Sequence, residues 1–360
     1  MPLPARGRLG GSSSSEASMS RRLRIGIVGL GRLGMRHAEN LKLRIPEADL
    51  VAACSPVEAE RQAAATLGVC RVYSDYSSLL ADRDIEAVFL VTPTSLHADQ
   101  IIAALDAGKH VFCEKPLALE LADCLRVETA AAKRPELMVM IGFTRRFDPS
   151  YRDAADKIAA GAIGRPYFVR SQTTDKHDAS GFFVRFAATS GGIFLDCTIH
   201  DIDLARWLLG AAKPVRAWAA GTIALHEGLR EFRDVDNAVA TVEFADGQLA
   251  SFFASRTLAH GQDTHTEVFG THGALAVGLG ARLNRVDIFD DHGMRHECTP
   301  EFFTRFYDAF QLEAQAFTRA VLNREASPLV LADATEATRI AIAITEAYRQ
   351  RRIVEIPDSR

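Results

Sequence analysis

A glycine-rich turn between an apolar strand and a helix constrains the fold of this chain more than any other feature. An apolar run with β-branched residues covers positions 23–28, the pattern Gly29-x-Gly31-x-x-Gly34 follows it at once, and a helix is predicted over residues 35–43. In a βαβ unit the first glycine permits the turn, the second lets the backbone approach a pyrophosphate, and the third lets helix and strand pack closely. The pattern predicts a dinucleotide-binding loop, although a tight turn without a ligand would show the same pattern. The expected contacts come from Gly29, Leu30, Gly31, Arg32, Leu33 and Gly34.

Strands and helices alternate from this turn to about residue 143. Apolar runs predict further strands over residues 50–54, 87–91, 110–113 and 138–141. Helical patterns separate them over residues 58–67, 95–107 and 119–132. Strand, helix and strand at such spacing are typical of a parallel sheet with helices on both faces. Residues 21–143 are therefore predicted to form an α/β Rossmann domain that binds NAD or NADP.

The pattern changes after residue 143. A helix is predicted over residues 151–160 and a strand over 167–171, and extended runs follow from residue 215 onward. These runs cover residues 238–244, 248–255, 264–269 and 273–277, and Asp246-Gly247 marks a hairpin turn between two of them. Two long helical patterns, over residues 302–322 and 332–349, follow. Residues 144–360 are predicted to form an α+β domain around a large, mostly antiparallel, open sheet.

Composition excludes several classes of function. A net charge of −4 and an isoelectric point near 6.3 give no basic surface for nucleic acid, and no apolar run is long enough for a membrane span. Residues 1–20 are serine- and glycine-rich without an apolar signal segment, which predicts a disordered leader. The six cysteines form no Cys-x-x-Cys pair, and the histidines form no ligand cluster. We therefore expect a cytoplasmic protein with no nucleic-acid partner, no membrane association and no bound metal.

The residue that follows the second predicted strand bears on the choice between NAD and NADP. In dinucleotide-binding units an acidic residue about twenty positions after the last glycine accepts hydrogen bonds from the adenosine ribose. Ser55 occupies this position. Serine removes the carboxylate that would repel a 2′-phosphate, yet no arginine follows immediately to bind one. We expect Ser55 to face the ribose, with NAD as the cofactor and NADP as the alternative.

Four further segments resemble one enzyme family. They are residues 92–97 (TPTSLH), 114–116 (EKP), 142–148 (GFTRRFD) and 191–203 (GGIFLDCTIHDID). On these motifs the chain from about residue 23 to residue 209 resembles the Gfo/Idh/MocA oxidoreductases, and within them the inositol 2-dehydrogenases and related dehydrogenases of cyclic polyols and sugars. The resemblance implies a homo-oligomer, a dimer or tetramer, formed through the sheet of the substrate-binding second domain. It also implies cofactor contacts from Thr92, Pro93, His97, Glu114 and Lys115, although helix capping would explain His97 equally well.

Three residues are the predicted catalytic group. Lys115 comes just after a predicted strand, at the sheet edge where α/β proteins bind ligands, and its ammonium can polarise a substrate oxygen. Asp196 and His200 are four residues apart and would share one face of a helix. A carboxylate and an imidazole placed together can move a proton near neutral pH. The alternatives are a surface lysine, and a helix cap with a core histidine.

The substrate contacts are predicted from the same motifs. Besides the three catalytic residues, Arg145 and Asp175 are expected to contact substrate, although Arg145 and Arg146 could instead pair with Asp148. The inositol dehydrogenase pattern carries His and Asn where this chain has Thr173 and Asp175. That departure argues against myo-inositol itself and leaves a related polyol as the substrate.

The sequence thus predicts an NAD(P)-dependent dehydrogenase. It would oxidise a secondary alcohol of a cyclic polyol or sugar, with His200 as the base and Lys115 orienting the hydroxyl. Asp196 would position either Lys115 or His200. The alternative is a non-catalytic, dinucleotide-binding sensor of the same fold.

Overall fold

The computed structural model describes residues 21–357. The leader predicted for residues 1–20 lies outside the described residues, as do residues 358–360.

Within the described chain, six parallel strands form the first sheet, in the order β3-β2-β1-β4-β5-β6. The strands are β1 (Leu23–Val28), β2 (Ala48–Cys54), β3 (Arg71–Tyr73), β4 (Ala87–Leu90), β5 (His110–Glu114) and β6 (Val139–Gly142). Except in the short edge strand β3, most of their side chains are buried, as expected when helices cover both faces of a parallel sheet. All six strands run in the same direction, so their carboxyl ends lie at one edge of the sheet.

Five helices connect these strands. They are α1 (Arg32–Leu43), α2 (Glu58–Thr66), α3 (Tyr76–Ala81), α4 (His97–Asp106) and α5 (Leu121–Ala132). The amphipathic patterns predicted all of them except α3. This helix has only six residues, too few to show a helical repeat of apolar positions. Helix α1 begins at Arg32, three residues before the predicted start, because Gly31 already supplies its N-cap.

The second sheet has the order β12-β11-β7-β10-β9-β8-β15 in the described residues. Its strands are β7 (Pro166–Lys176), β8 (Pro214–Thr222), β9 (Asn237–Phe244), β10 (Leu249–Leu258), β11 (Asp263–Gly270), β12 (Gly273–Val277) and β15 (Val354–Glu355). Strands β13 (Ile288–Asp290) and β14 (Gly293–Arg295) form a separate hairpin. Only the pairing of β7 with β10 is parallel, so the predicted, mostly antiparallel sheet is confirmed. One face is buried under helices and the other is open.

The helices of this half are α6 (Pro149–Ala159), α7 (Phe182–Ser190), α8 (Ile199–Leu208), α9 (Phe302–Arg305), α10 (Tyr307–Asn323) and α11 (Leu331–Gln350). Helix α10 packs back on the first sheet, where the ring of Phe317 contacts Phe89 and Phe112 edge-on. The division of the chain at residue 143 therefore stays a prediction, because α10 shares its core with residues before that boundary.

Two expectations about helices were wrong. The helix predicted over residues 302–322 is broken at Phe306, which separates α9 from α10. Helix α7 was not predicted, although its apolar residues recur at helical spacing, and its phenylalanines line the cleft. Among residues 21–357 no single helix has both the length and the apolarity to cross a bilayer; α7 with the segment Phe194–Leu208 meets those criteria only as a pair bent by 77°.

Candidate active site

The glycine-rich loop has the shape that a dinucleotide requires. Gly29 has φ +86°, and a Cβ on it would lie 2.3 Å from the carbonyl oxygen of Val91. A Cβ on Gly34 would lie 1.9 Å from the carbonyl oxygen of Gly29, whereas a Cβ on Gly31 would meet nothing within 4 Å. The first and third glycines are therefore required by packing, and the second leaves open space over the start of α1. Residues of the loop fit a pyrophosphate at the helix N-terminus. The side chain of Leu30 is buried in the core, so its predicted contact would come from its backbone and stays a prediction.

A cleft of about 440 Å³ begins at this loop and extends between the two halves of the chain. At one end lie Gly31, Arg32, Leu33 and Gly34, and at the other lie Lys115, Asp175, Asp196 and His200. Its walls are phenylalanine rings from α7, α9 and α10 together with Phe306 between the last two: Phe182, Phe183, Phe186, Phe302, Phe303, Phe306 and Phe310. The guanidinium of Arg32 lies 5.0 Å from the ring centre of Phe182, so a cation–π contact joins the loop to α7. The cleft thus joins a dinucleotide site to a group of buried charges.

Lys115 lies one residue beyond β5, at the carboxyl edge of the sheet. Its Nζ donates to Oδ1 of Asp196 at 3.1 Å and to the carbonyl oxygen of Asp196 at 2.7 Å. The ammonium is therefore fixed from two directions. Of the two partners that the sequence left open for Asp196, the structure shows Lys115, so this carboxylate holds the lysine and not the imidazole.

Arg256, which the sequence did not single out, holds the other side of Asp196. This fully buried side chain on β10 donates to Oδ2 of Asp196 at 2.9 Å and to Oδ2 of Asp234 at 3.4 Å. Burial raises the pKa of Asp196, but Lys115 and Arg256 more than offset this effect and hold the pKa below its usual value. Asp196 is therefore a carboxylate between two cations. An arginine directly after the extended run predicted over residues 248–255 was the one available signal.

His200 lies beside this pair, in the first turn of α8. The preceding residues Phe194–Thr198 form a π-helical turn, so the four-residue spacing from Asp196 does not place both side chains on one α-helical face as predicted. Burial lowers the pKa of His200 well below its usual value, and the charges of Lys115 and Arg145 lower it further. Its Nδ1 has no hydrogen-bond partner in residues 21–357. The imidazole is uncharged at neutral pH and can accept a proton.

Asp175 on β7 lines the same end of the cleft. Burial raises its pKa to about 6, although the nearby Arg256 favours its ionised form. Within residues 21–357, no side chain or backbone group donates a hydrogen bond to this carboxylate. Asp196, in contrast, accepts from Lys115 and Arg256. It is an acceptor that is left for a ligand.

Arg145 is held by neighbours rather than free to bind ligands. Its guanidinium donates to Oδ1 of Asp201 at 2.8 Å and to the hydroxyl of Thr173 at 2.6 Å. Arg146 pairs in the same way with Asp203 at 2.6 Å. The alternative pairing of these arginines with Asp148 was wrong, because that carboxylate caps α6 and binds Arg305. Arg145 still lines the cleft, and its contact with substrate stays a prediction.

The residues expected to contact the cofactor beyond the loop divide into two groups. Thr92, Pro93 and Glu114 line the cleft with Lys115. His97 does not: its ring is buried, with Nδ1 2.8 Å from the carbonyl oxygen of Pro116 and Nε2 2.9 Å from that of Thr92. Its side chain therefore braces the loop that carries Lys115, and contact between His97 and the cofactor stays a prediction.

Glu114 is buried and already partnered. Its Oε1 lies 2.8 Å from Nε2 of His37, and its Oε2 accepts from the backbone N–H of Lys115 at 3.2 Å. The neighbouring Glu313 on α10 is fully buried, and burial raises its pKa well above the usual value. Glu114 thus supports the peptide of Lys115 from behind.

Ser55 follows β2 directly, as predicted, but its side chain is only 1% exposed. Its hydroxyl donates to Oε2 of Glu60 at 2.5 Å and accepts from the backbone N–H of Val57 at 3.1 Å. Contact between Ser55 and a ribose stays a prediction.

Comparison with known proteins adds a family to this geometry. A family model described as an oxidoreductase family with an NAD-binding Rossmann fold matches residues 23–143. A model of the GFO/IDH/MocA C-terminal domain matches residues 151–276. Together they cover more than half of the chain.

Individual relatives extend over almost the whole length. A scyllo-inositol 2-dehydrogenase (NAD(+)) from Bacillus subtilis is 38% identical over 343 residues, which are 95% of this chain and 98% of the relative. A myo-inositol 2-dehydrogenase from Thermotoga maritima is 34% identical over 338 residues, covering 93% of this chain and 99% of the relative. The crystal structure of scyllo-inositol dehydrogenase from Lactobacillus casei with NAD(H) and scyllo-inositol is 37% identical, with a TM-score of 0.90 over 93% of this chain and 99% of that one.

Proposed function

The chain belongs to the Gfo/Idh/MocA family of oxidoreductases with an NAD-binding Rossmann fold, and we propose that it oxidises a secondary hydroxyl of an inositol-like cyclic polyol. Membership confirms the predicted family, fold class, NAD cofactor and oxidoreductase chemistry. The observation that carries the substrate proposal is the juxtaposition of the fixed Lys115 ammonium and the uncharged His200 in the cleft that begins at the glycine-rich loop. The activities named for the relatives support the same class of substrate.

The glycine-rich loop around Gly31 would hold the pyrophosphate of NAD, and the bound nicotinamide would supply the acceptor for the hydride that leaves a ring carbon. The overall change removes one hydride and one proton from the CH–OH group and leaves a carbonyl. This chain therefore has two tasks, which are to hold the ring carbon near the cofactor and to take the hydroxyl proton.

Lys115 performs the first task. Its ammonium can donate to the reacting oxygen and stabilise the negative charge that develops there as the proton leaves. Asp196 keeps the ammonium in place through two hydrogen bonds, and Arg256 keeps Asp196 ionised. The charges are in position before substrate arrives, so little reorganisation is needed during the reaction.

His200 performs the second task as the general base. Because burial and the neighbouring cations lower its pKa, the ring is unprotonated at neutral pH and ready to accept the hydroxyl proton. Asp175 supports recognition, since its unpartnered carboxylate can accept hydrogen bonds from neighbouring hydroxyls of the ring. A carboxylate at this position favours neutral polyols over sugar acids or phosphates, which would meet it as like charges.

Assembly through the open sheet face is part of the same proposal. Tyr167, Trp218, Val239, Leu249 and Phe253 are large apolar side chains exposed on the second sheet, and Val239 lies directly opposite Phe253 in the β9–β10 pairing. An apolar sheet face of this kind suits a second copy of the chain, giving a dimer or tetramer. Light scattering of the purified protein tests the oligomeric state.

A cytoplasmic location is also part of the proposal. It agrees with the six cysteines, which are all free thiols in the structure.

The test is a substrate panel with NAD. Purified protein is mixed with scyllo-inositol, myo-inositol, other inositols and common aldoses, and the absorbance of reduced nicotinamide is followed. We expect turnover with at least one inositol, and much weaker turnover with an acidic sugar. Binding of NAD without oxidation of any compound in the panel would contradict the proposal and favour the non-catalytic sensor.

A further inference from the structure

The adenosine end of the cofactor site lies where β2 ends beside β1. Val28 pairs with Cys54, and the backbone N–H of Gly29 donates to the carbonyl oxygen of Cys54 at 2.9 Å. The residues that follow β2 therefore lie next to the glycine-rich loop, at the edge where a Rossmann fold binds the adenosine ribose. The usual acidic residue is missing at this point, because position 55 is serine.

A carboxylate nevertheless reaches this point from α2. Glu60 lies in the first turn of the helix, and its Oε2 accepts from the hydroxyl of Ser55 at 2.5 Å. Ser55 in turn accepts from the backbone N–H of Val57, so the hydroxyl and the carboxylate form one chain of hydrogen bonds. Ser55 is the only hydrogen-bond partner recorded for the Glu60 carboxylate among residues 21–357, and the side chain is only half-buried. Its remaining acceptor sites are free for a ligand.

The other acidic residues near this edge are already used or point away. Asp75 follows the adjacent strand β3, but its carboxylate accepts from Ser77 and from the backbone N–H and hydroxyl of Ser78. Glu58 is exposed on α2 and accepts from Gln62. Glu60 is therefore the carboxylate that the fold brings to the end of β2.

We propose that Glu60 replaces the missing acidic residue at position 55, accepts hydrogen bonds from the adenosine ribose diol, and thereby selects NAD over NADP. A 2′-phosphate would meet this carboxylate as a like charge at close range. The inference rests on the proposed dehydrogenase function only through its dinucleotide, and it makes no assumption about the polyol.

Arg61 makes the selection reversible by a single substitution. Its guanidinium donates to the carbonyl oxygen of Ser55 at 2.7 Å, so a cation already lies beside the same position. In the wild type, the negative charge of Glu60 offsets the positive charge of Arg61 beside this position. Without the carboxylate, Arg61 and the Ser55 hydroxyl remain as donors that suit a 2′-phosphate.

The test measures cofactor binding directly. Isothermal titration gives the Kd of NADH and of NADPH for wild type, Glu60→Gln and the matched control Glu58→Gln. We expect wild type to prefer NADH clearly, and Glu60→Gln to weaken NADH about tenfold while tightening NADPH, because hydrogen bonds to a charged group and one like-charge contact are lost. Glu58→Gln should keep both constants within about twofold. The double variant Glu60→Gln/Arg61→Gln should lose the gain in NADPH affinity.

Two outcomes would overturn the proposal. In one, the ratio of the two Kd values in Glu60→Gln stays within about twofold of wild type, with or without a downward shift in thermal unfolding, which would limit Glu60 to its hydrogen bond with Ser55. In the other, the ratio changes equally in Glu58→Gln, which would assign it to the general charge of the helix. If Glu60→Gln does not fold, Glu60→Asp, which shortens the reach but keeps the charge, must weaken NADH binding. Because no polyol is present, failure here leaves the substrate panel unaffected, and failure of the panel leaves this result unaffected.

Discussion

At the dinucleotide end of the cleft, glycines, which have no side chain, give the loop its shape. At the substrate end, buried charged side chains form the site. Gly29 and Gly34 allow backbone atoms to approach where a Cβ would collide, and Gly31 leaves open space. Some distance along the same cleft, Asp196 lies between Lys115 and the fully buried Arg256.

Because the two ends are built differently, substitutions at each end should change different properties of the protein. At the loop, an added group changes shape and therefore changes whether the fold closes or the dinucleotide fits. In the charged group, a removed partner leaves an uncompensated buried charge, which costs several kcal/mol and moves the pKa values of its neighbours. We therefore expect effects on affinity or stability at one end, and effects on turnover and pH dependence at the other.

The largest effect is expected for Lys115→Ala. The substitution removes the cation beside the reacting oxygen, and kcat should fall by roughly 10³-fold or more. The Kd of NADH should change little, because the ammonium is bound to Asp196 and not to the glycine-rich loop. Steady-state kinetics and fluorescence titration measure the two quantities, with the exposed Lys133→Ala as the control. A mutant with wild-type kcat would show that Lys115 is not catalytic.

The loop offers a pair of substitutions with opposite outcomes. Gly31→Leu adds a side chain into open space, so the protein should fold normally while the Kd of NADH rises by about 100-fold. Gly34→Ala places a methyl group against the carbonyl oxygen of Gly29, so the thermal midpoint should fall. Calorimetric unfolding and NADH titration of both variants check this. Equal loss of stability in the two would mean that Gly31 is also a packing residue.

Arg256→Met tests the hidden support of the charged group. The free energy of unfolding should fall by about 3 kcal/mol, because Asp234 and Asp196 lose a buried partner. We also expect kcat to fall by roughly tenfold to a hundredfold. Arg256 lowers the pKa of Asp196, so its removal raises that pKa, and the loss of activity on the acid side should begin at a higher pH. Arg256→Lys keeps the charge and should recover part of both effects. A reduced stability with an unchanged pH profile would limit Arg256 to a structural role.

The smallest effect is expected at Asp175. Its pKa of about 6 means that the carboxylate becomes protonated, and a poorer acceptor for substrate hydroxyls, as the pH falls through that value. The kcat/KM for the polyol should therefore decrease below about pH 6 in wild type. Asp175→Asn should remove this decrease and raise KM by about fivefold to tenfold. Persistence of the same decrease in the variant would assign it to another group.

Sequence patterns predicted the dinucleotide half more completely than the substrate half, for physical reasons. Five of the six strands of the first sheet are short apolar runs between helices, and their predicted bounds lie within two residues of those observed. The edge strand β3 was not predicted, because it is only three residues long and none of its side chains is buried. Local glycine chemistry likewise indicated the loop. Neither required knowledge of distant parts of the chain.

The substrate end depends on contacts between distant residues. Arg256 meets Asp196 across 60 positions of sequence, so no local pattern could indicate that pair. At the dinucleotide end, Glu60 lies only a few positions after Ser55, but the spacing alone does not show that its carboxylate accepts from the Ser55 hydroxyl. The π-helical turn before His200 and the buried position of His97 also follow from packing. Family motifs found Lys115, Asp196 and His200, but only the structure shows which of them hydrogen-bond to one another.

In the proposed reaction, a polyol ring carbon and NAD meet in one cleft for direct hydride transfer, and an isotope experiment can follow that hydride. Inositol deuterated at its ring carbons is incubated with NAD and the wild-type protein, and the reduced cofactor is examined by mass spectrometry. We expect NADH to gain one deuterium per turnover, and Lys115→Ala to form almost no deuterated NADH. Formation of NADH without deuterium by wild type would contradict direct hydride transfer. Formation of as much deuterated NADH by Lys115→Ala as by wild type would contradict the role of Lys115.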